Sequence, residues 1–338
     1  MARAKWTLDV SILELPLAER FTIATESWDA ARNVFVRLGY DGITGVGEVS
    51  PGGRWEETPE SVEAELQAVD LDALSGPFDI EGISTLLPAG SARCALDIAL
   101  HDLAAKLAAL SVAELLGLGA RPLPVTSVTV PIAEVHRMAA RARALSDHPV
   151  LKMKLGFEGD VDAVRVVRRA YDGALRVDAN EGWSVEEAPE RLKALEPFDI
   201  ELCEQPIRAG YLEALRRVTE STSIPIFADE DVGTSADVAR LHGIVDGVNL
   251  KLRKAGGIRE TVKAMATARA QGMRVMLGCD LESGVAATAQ ASVASLVDHA
   301  DLDGPLLLAE DPYPGVTYSR GTMALPEGPG LGLRRSPP

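Results

Sequence analysis

Cysteine, aromatic side chains and positive charge are all scarce in this chain. The three cysteines, Cys94, Cys203 and Cys279, stand far apart, form no CxxC pair and are odd in number. A disulfide scaffold or a thiolate zinc site is therefore not expected. Aromatics make up only 4% of the 338 residues, so aliphatic side chains must fill most of the core. Acids outnumber Lys and Arg by 50 to 34, a formal charge of −16. That field opposes nucleic acid and anionic membrane surfaces, and it favours a cationic ligand if it favours any. Residues Met1 to Val10 carry Arg3, Lys5 and Asp9 and lack the apolar centre of a signal peptide. No uninterrupted apolar run approaches the ~20 residues of a membrane span. A reducing cytoplasm is the expected compartment.

What is present suits a soluble globular protein, with 46% hydrophobic and 25% charged residues. The first third reads as mixed α and β. Val34 to Leu38 and Thr44 to Val49 are strand candidates joined across Tyr40-Asp41-Gly42. Pro59 to Val69 and Ser91 to Leu110 read as helices. From about residue 124 a repeating strand–helix rhythm begins. The strands are read as Val125–Val130, Val150–Lys154, Leu175–Asp178, Ile200–Glu204, Pro225–Asp229, Gly247–Lys251, Arg274–Gly278 and Pro305–Ala309. Eight such units predict a closed (β/α)8-type barrel, behind an N-terminal α+β capping domain. The competing open, doubly wound sheet lacks support, because no GxGxxG or GxxxxGK[ST] motif follows any strand. The expected domains are 1–115 (capping), 116–310 (barrel) and 311–338, a Gly- and Pro-rich tail packing back on the capping domain.

A barrel of this kind places its site at the C-terminal ends of the strands. Lys152 and Lys154 end the second strand. Being two residues apart, they face the same side, and two neighbouring ammonium groups disfavour each other's charge. Asp178, Glu204 and Asp229 end the next three strands, 26 and 25 positions apart. Three carboxylates without histidine or cysteine suit a hard cation, Mg2+ before Mn2+ or Ca2+. Lys251 ends the sixth strand, across the barrel from Lys154. A metal holding a substrate carboxylate stabilises the enediolate formed as an α proton leaves. Bases on the two faces then allow inversion.

These motifs together resemble the enolase superfamily, in particular its muconate-lactonizing-enzyme subgroup. The resemblance spans nearly the whole chain. It covers Gly45-Val46-Gly47-Glu48, the helix from Ala92 to Leu103 with Asp97 and Asp102, Lys152-Met153-Lys154, and Val177-Asp178-Ala179-Asn180. It continues through Cys203-Glu204-Gln205-Pro206, Ala228-Asp229-Glu230 and Lys251 to Gly257-Ile258. His101 departs from it, since tryptophan is frequent there. Pairing a Lys or His base with magnesium is a known habit of this superfamily. The resemblance implies Asp178, Glu204 and Asp229 as Mg2+ ligands and Lys154 and Lys251 as the acid/base pair. It implies Lys152 as the group that depresses the pKa of Lys154 and helps neutralise the enediolate.

Several reactions share that machinery. Asp301 and Asp303, expected just before the eighth strand, resemble the dipeptide epimerase signature that grips a free α-ammonium through charge-assisted hydrogen bonds. The expectation is therefore a Mg2+-dependent dipeptide epimerase. N-acylamino-acid racemase and o-succinylbenzoate synthase are the alternatives, and a non-catalytic binding barrel is a remote one. Thr129 is a further candidate substrate contact. The second side chain of the dipeptide should meet the loop from Phe21 to Trp28 and the end of strand seven. Glu26 stands where epimerases for Ala-Glu carry arginine, and Asp280 is a second acid near the pocket. Both acids predict a cationic or apolar second residue rather than glutamate, unless Arg54 or Arg32 pairs with them. The partner expected is a small molecule, with no nucleic acid and no membrane, and the fold is compatible with a homo-oligomer.

Overall fold

The computed structural model describes residues 6–52, 56–119, 121–335 and 337. Arg54 lies outside the described residues. The chain starts with an antiparallel sheet of three strands, β1 (Trp6–Thr22), β2 (Ser27–Tyr40) and β3 (Ile43–Val49), in the order β1-β2-β3. Tyr40 pairs with Ile43 across Asp41-Gly42, and Val36 with Gly47, so the expected hairpin is present. The 17-residue β1 was not anticipated. It alternates intermediate and exposed side chains over much of its length, as an edge strand with one wet face does. The segment Phe21 to Trp28 is the tip of the β1–β2 hairpin, where Phe21 pairs with Trp28 and Thr22 with Ser27.

One helix carries the sheet. Ser91–Leu107 has 14 buried residues among its 17, which is why its sequence is mostly Ala and Leu. It packs on β3 at glycine-permitted distance. A Cβ placed on Gly47 would lie 2.0 Å from the Ala95 carbonyl oxygen and 2.9 Å from the Ala99 nitrogen.

Eight parallel strands follow in sequential order: β4 (Val128–Val130), β5 (Val150–Lys154), β6 (Ala174–Asp178), β7 (Ile200–Glu204), β8 (Ile226–Ala228), β9 (Gly247–Leu250), β10 (Arg274–Gly278) and β11 (His299–Asp301). A parallel bridge between Thr126 and Ala300 joins the first to the last, so the expected barrel is formed. Seven strands fall where the sequence rhythm puts them. The eighth does not. β11 is His299–Asp301, paired to β10 as Met276–His299 through Gly278–Asp301, and Gly304–Leu307 is a helical turn with Pro at its start. Pro305 has no amide to give a ladder, and its fixed φ suits a first helical turn. The apolar run from Leu306 to Leu308 therefore does not enter the sheet.

Most of the barrel's apolar packing lies between strands and outer helices. Leu202, Phe227 and Met276 form a separate small cluster, and the buried charges of Lys152 and Arg176 take up barrel space that other side chains would fill. The C-terminal segment returns to the end of the long helix: Leu331 donates its amide to Asp102, and Val112 donates to the Gly330 carbonyl. No helix among the described residues is long and apolar enough to cross a membrane.

The close contact of β3 with the helix gives a stability test. Gly47→Ala drives a methyl into helix backbone that has no room to move, and should cost ~1–3 kcal/mol or more. A chemical-denaturation midpoint equal to that of the wild type would refute this packing.

Candidate active site

The residues named from the strand ends converge. Strand register sets Lys154 beside Asp178, and Asp178 beside Glu204, as direct Cα partners on β5, β6 and β7. Asp229 follows β8 by one residue and Lys251 follows β9 by one. Lys154, Asp229 and Lys251 line one cavity of about 550 Å3 with Lys152, Thr129, Asp301, Asp303 and Asp280, and its far wall comes from the β1–β2 hairpin; Asp178 and Glu204 are fully buried.

The row is held together by charge. Lys152 Nζ lies 3.0 Å from Asp178, 2.6 Å from Glu204 and 2.7 Å from Asp301. Burial works against its positive charge, but these three carboxylates outweigh burial and hold its pKa well above the ordinary lysine value. Lys154 Nζ lies 2.7 Å from Asp178. Burial likewise opposes ionisation of Asp178, yet the two lysines keep its pKa low. Glu204 has the weaker share: burial, then the neighbouring Asp178 charge, pushes its pKa up to about 7. Asn249 donates to its other oxygen at 2.6 Å.

At the other end of the row, Lys251 Nζ sits 3.4 Å from Asp229 and 3.3 Å from Asp280. Its charge too is favoured over burial by these acids. Lys254 lies three residues after Lys251 and was given no role in the sequence reading. Its buried ammonium contacts an Asp229 carboxylate oxygen, donates to the Asp229 carbonyl at 2.6 Å and to the Asn249 carbonyl at 3.1 Å. It thereby fixes the Asp229 end of the row. Glu230 was quoted in the sequence but given no role. It is a cavity-lining acid whose pKa burial and then Asp229 raise well above the usual range. Both Asp229 and Glu230 lie beyond the end of β8, where strand alternation no longer decides which side chains share a face, and both line the cavity.

Asp301 ends β11, and Asp303 follows it by two residues, so the pair lies at the end of the eighth strand and not before it. Asp301 accepts from Ser127 at 2.5 Å as well as from Lys152. Burial favours its neutral form, but Lys152 wins and brings its pKa down to about 2. Asp303 accepts from the Thr129 amide at 2.7 Å. Thr129 thus supports an acid through its backbone. Burial, and then the Asp301 charge, push Asp303 up to about 6.

The two acids expected to select the second residue differ. Glu26 is exposed at the hairpin tip, on the cavity wall. Asp280 is engaged: Arg253 approaches it at 2.7 and 3.3 Å, and Lys251 at 3.3 Å. Arg32 pairs with Glu60 at 2.7 Å instead. His101 is buried, with Nδ1 at 2.8 Å from the Asp97 carbonyl oxygen. It belongs to the helix–barrel contact and not to the cavity.

With this geometry in view, the comparisons are specific. Residues 7–117 match the mandelate racemase/muconate lactonizing enzyme N-terminal domain, and residues 134–337 match the enolase C-terminal domain-like family. The chain belongs to this family. Among its relatives, a hydrophobic dipeptide epimerase of Roseobacter litoralis is 38% identical, over 94% of this chain and 96% of that protein. An L-Ala-D/L-Glu epimerase of Bacteroides thetaiotaomicron is 36% identical, over 95% of this chain and 86% of its own length. The solved dipeptide epimerase of Enterococcus faecalis, complexed with Mg and L-Leu-L-Tyr, superposes with a TM-score of 0.92 at 32% identity, covering 98% of this chain and 99% of that one.

The charged residues picked out by strand spacing depend on one another. Lys152→Met leaves Asp178, Glu204 and Asp301 without their shared cation. Breaking such a buried network should cost ~3–5 kcal/mol, read as a lowered urea midpoint in metal-free buffer. An unchanged midpoint would show that these carboxylates do not rely on Lys152.

Proposed function

We propose that this protein epimerises dipeptides at the carbon α to the terminal carboxylate, using Mg2+, in a reducing cytoplasm. The observation that carries the reading is the placement of two lysines. Lys154 and Lys251 reach one cavity from opposite ends of a carboxylate row, and a pair of buried acids, Asp301 and Asp303, faces the same space. Similarity to dipeptide epimerases over nearly the whole chain supports it.

The donor set fits magnesium. Asp178, Glu204 and Asp229 offer only oxygen, from three consecutive strands, as a hard cation prefers. Beside them the buried oxygens Glu230 Oε2, Asn180 Oδ1 and Asn249 Oδ1 receive no hydrogen bond. Among the described residues no three such side chains are close enough to grip an ion as they stand, because Lys152 and Lys154 occupy the spaces between them. An ion bound there would hold the substrate carboxylate and lower the cost of the charge that develops on it when the α proton leaves.

The chain's own groups supply the rest. Lys154 on one side takes the α proton from one stereoisomer while Lys251 on the other side delivers a proton to the opposite face, and the roles reverse for the other isomer. Lys152 keeps a positive charge beside the carboxylate row throughout. Asp301 and Asp303 receive the substrate's ammonium. An acid held up to about 6 is one whose buried charge lacks a cation, and the ammonium provides it.

The second side chain points toward a wall that includes Phe21, Ile23, Trp28, Pro51 and Leu281. Asp280 would have favoured a cation there, but Arg253 already balances it. Glu26 alone remains, at an exposed site where water screens it. The preference is therefore for an apolar second residue, with a cationic one next and an acidic one last. N-acylamino-acid racemisation, the second reading, requires no ammonium and leaves Asp303 unpaired.

Three outcomes check this. In D2O with Mg2+, L-Ala-L-Leu should gain one deuteron at the C-terminal residue's α carbon, EDTA should stop it, and kcat/KM should exceed that for L-Ala-L-Glu by roughly tenfold or more. If acetylating the dipeptide's amine improves turnover, the racemase reading replaces this one. Ionised Asp303 is the form that binds the ammonium, so KM should rise as pH falls through about 6. A KM that is flat between about pH 5 and about pH 8 would remove Asp303 from the ammonium site.

A further inference from the structure

The two lysines at the ends of the carboxylate row are held differently. Lys154 pairs with Asp178, a member of the row. Lys251 is suspended between Asp229, also of the row, and Asp280, which is not. Asp280 comes from the loop after β10, the strand next to that of Lys251. Its carboxylate is fixed by a fork: Arg253 Nε lies 2.7 Å from Oδ2 and Nη2 lies 3.3 Å from Oδ1, the oxygen that also faces Lys251. Arg253 itself cannot drift. It is buried, it starts two residues after Lys251 on the short helix Leu252–Ala255, and Nη1 reaches the Gly52 carbonyl at 3.5 Å and Glu57 at 3.9 Å.

Resting on the epimerase reading, we propose that Asp280, oriented by Arg253, is the positioning residue for Lys251, and that this pair governs proton transfer on one face of the substrate only. The reason is geometric. When Asp229 turns its oxygens to a cation, Asp280 is the remaining acid that holds the Lys251 ammonium over the cavity. A planar guanidinium meeting a carboxylate through two contacts fixes direction as well as distance. Lys154 is held by Asp178 at the other end of the row, so its face keeps its geometry when Asp280 or Arg253 changes.

The test follows the α proton of each stereoisomer of Ala-Leu separately, by NMR in D2O with the magnesium-loaded enzyme. Lys251→Ala and Lys154→Ala first show which isomer each lysine serves. Asp280→Asn and Arg253→Gln should slow exchange of the Lys251 isomer by at least about tenfold, the scale that a misplacement of an ångström or less produces. Exchange of the Lys154 isomer should change by less than about threefold, and net epimerisation should fall in both directions. A doubly neutral variant, Arg253→Gln with Asp280→Asn, removes both members of the Arg253–Asp280 pair at no change in net charge and keeps the test valid if either single variant folds poorly. Arg253→Lys should restore the rate in part. Equal loss on both isomers, or no loss on either, overturns the inference and leaves the epimerase reading standing. Absence of exchange by the wild type overturns both.

Discussion

A single ammonium group, that of Lys152, lies within 3.0 Å of carboxylates from three different strands, and the barrel interior is arranged around it. Buried carboxylates are costly unless compensated. Here one cation serves Asp178 and Glu204 on the row and Asp301 near the closing seam of the barrel. The compensation is incomplete by design of the charges themselves. Glu204 stays near a pKa of about 7 and Asp303 of about 6, so the cavity still lacks positive charge. A divalent ion and a substrate ammonium are the two cations that the proposed reaction brings. The apparent conflict between a tightly ion-paired site and a metal site resolves in this way. The lysines keep Asp178 and Asp301 ionised, and Glu204 remains the acid of the row that is least compensated.

The capping domain contributes to the same economy of position. Arg93, on the long helix of that domain, donates to the carbonyls of Ala255 and Gly256 at 2.5 and 3.1 Å, and Asp97 accepts the Ile258 amide at 2.6 Å. These bonds hold the turn that follows Lys251 and Lys254. Glu48, on β3, accepts from Ser283 and from the Ala286 amide beyond β10. Both contacts grip loops that carry site residues, one after β9 and one after β10. The stretches quoted as family motifs in the first domain are thus clamps on the barrel mouth, which explains why residues far from the chemistry belong to the same pattern.

Much of this was legible because the decisive signals are periodic. Charged residues ending apolar strands at nearly constant spacing point to one rim, and register then places Lys154, Asp178 and Glu204 side by side. The eighth strand was misplaced because His299-Ala300-Asp301 has no apolar run, whereas Pro305 to Ala309 does. Three residues paired on one side and bridged on the other suffice once seven strands have set the frame, and tertiary context then overrides local preference. β1 was missed for a related reason: charged and apolar residues mix along an edge that is only half covered.

The partners of Asp280 were the least legible feature, and they change the chemistry most. Read along the chain, Asp280 is an acid near a pocket, and Arg253 is one basic residue in a run of three. Folding makes them a pair, because the two loops that carry them leave adjacent strands at the same level of the barrel. An isolated carboxylate in the cavity would attract a cationic side chain with several kcal/mol at intermediate dielectric. Paired with a buried guanidinium it offers little net charge, and its remaining oxygen turns to Lys251. In the proposed mechanism the same residue thereby moves from recognising a side chain to setting the place of a proton. The wall left for the second side chain includes Phe21, Ile23, Trp28 and Leu281, and the proposed preference for an apolar residue rests on the removal of an acid from play by its neighbour.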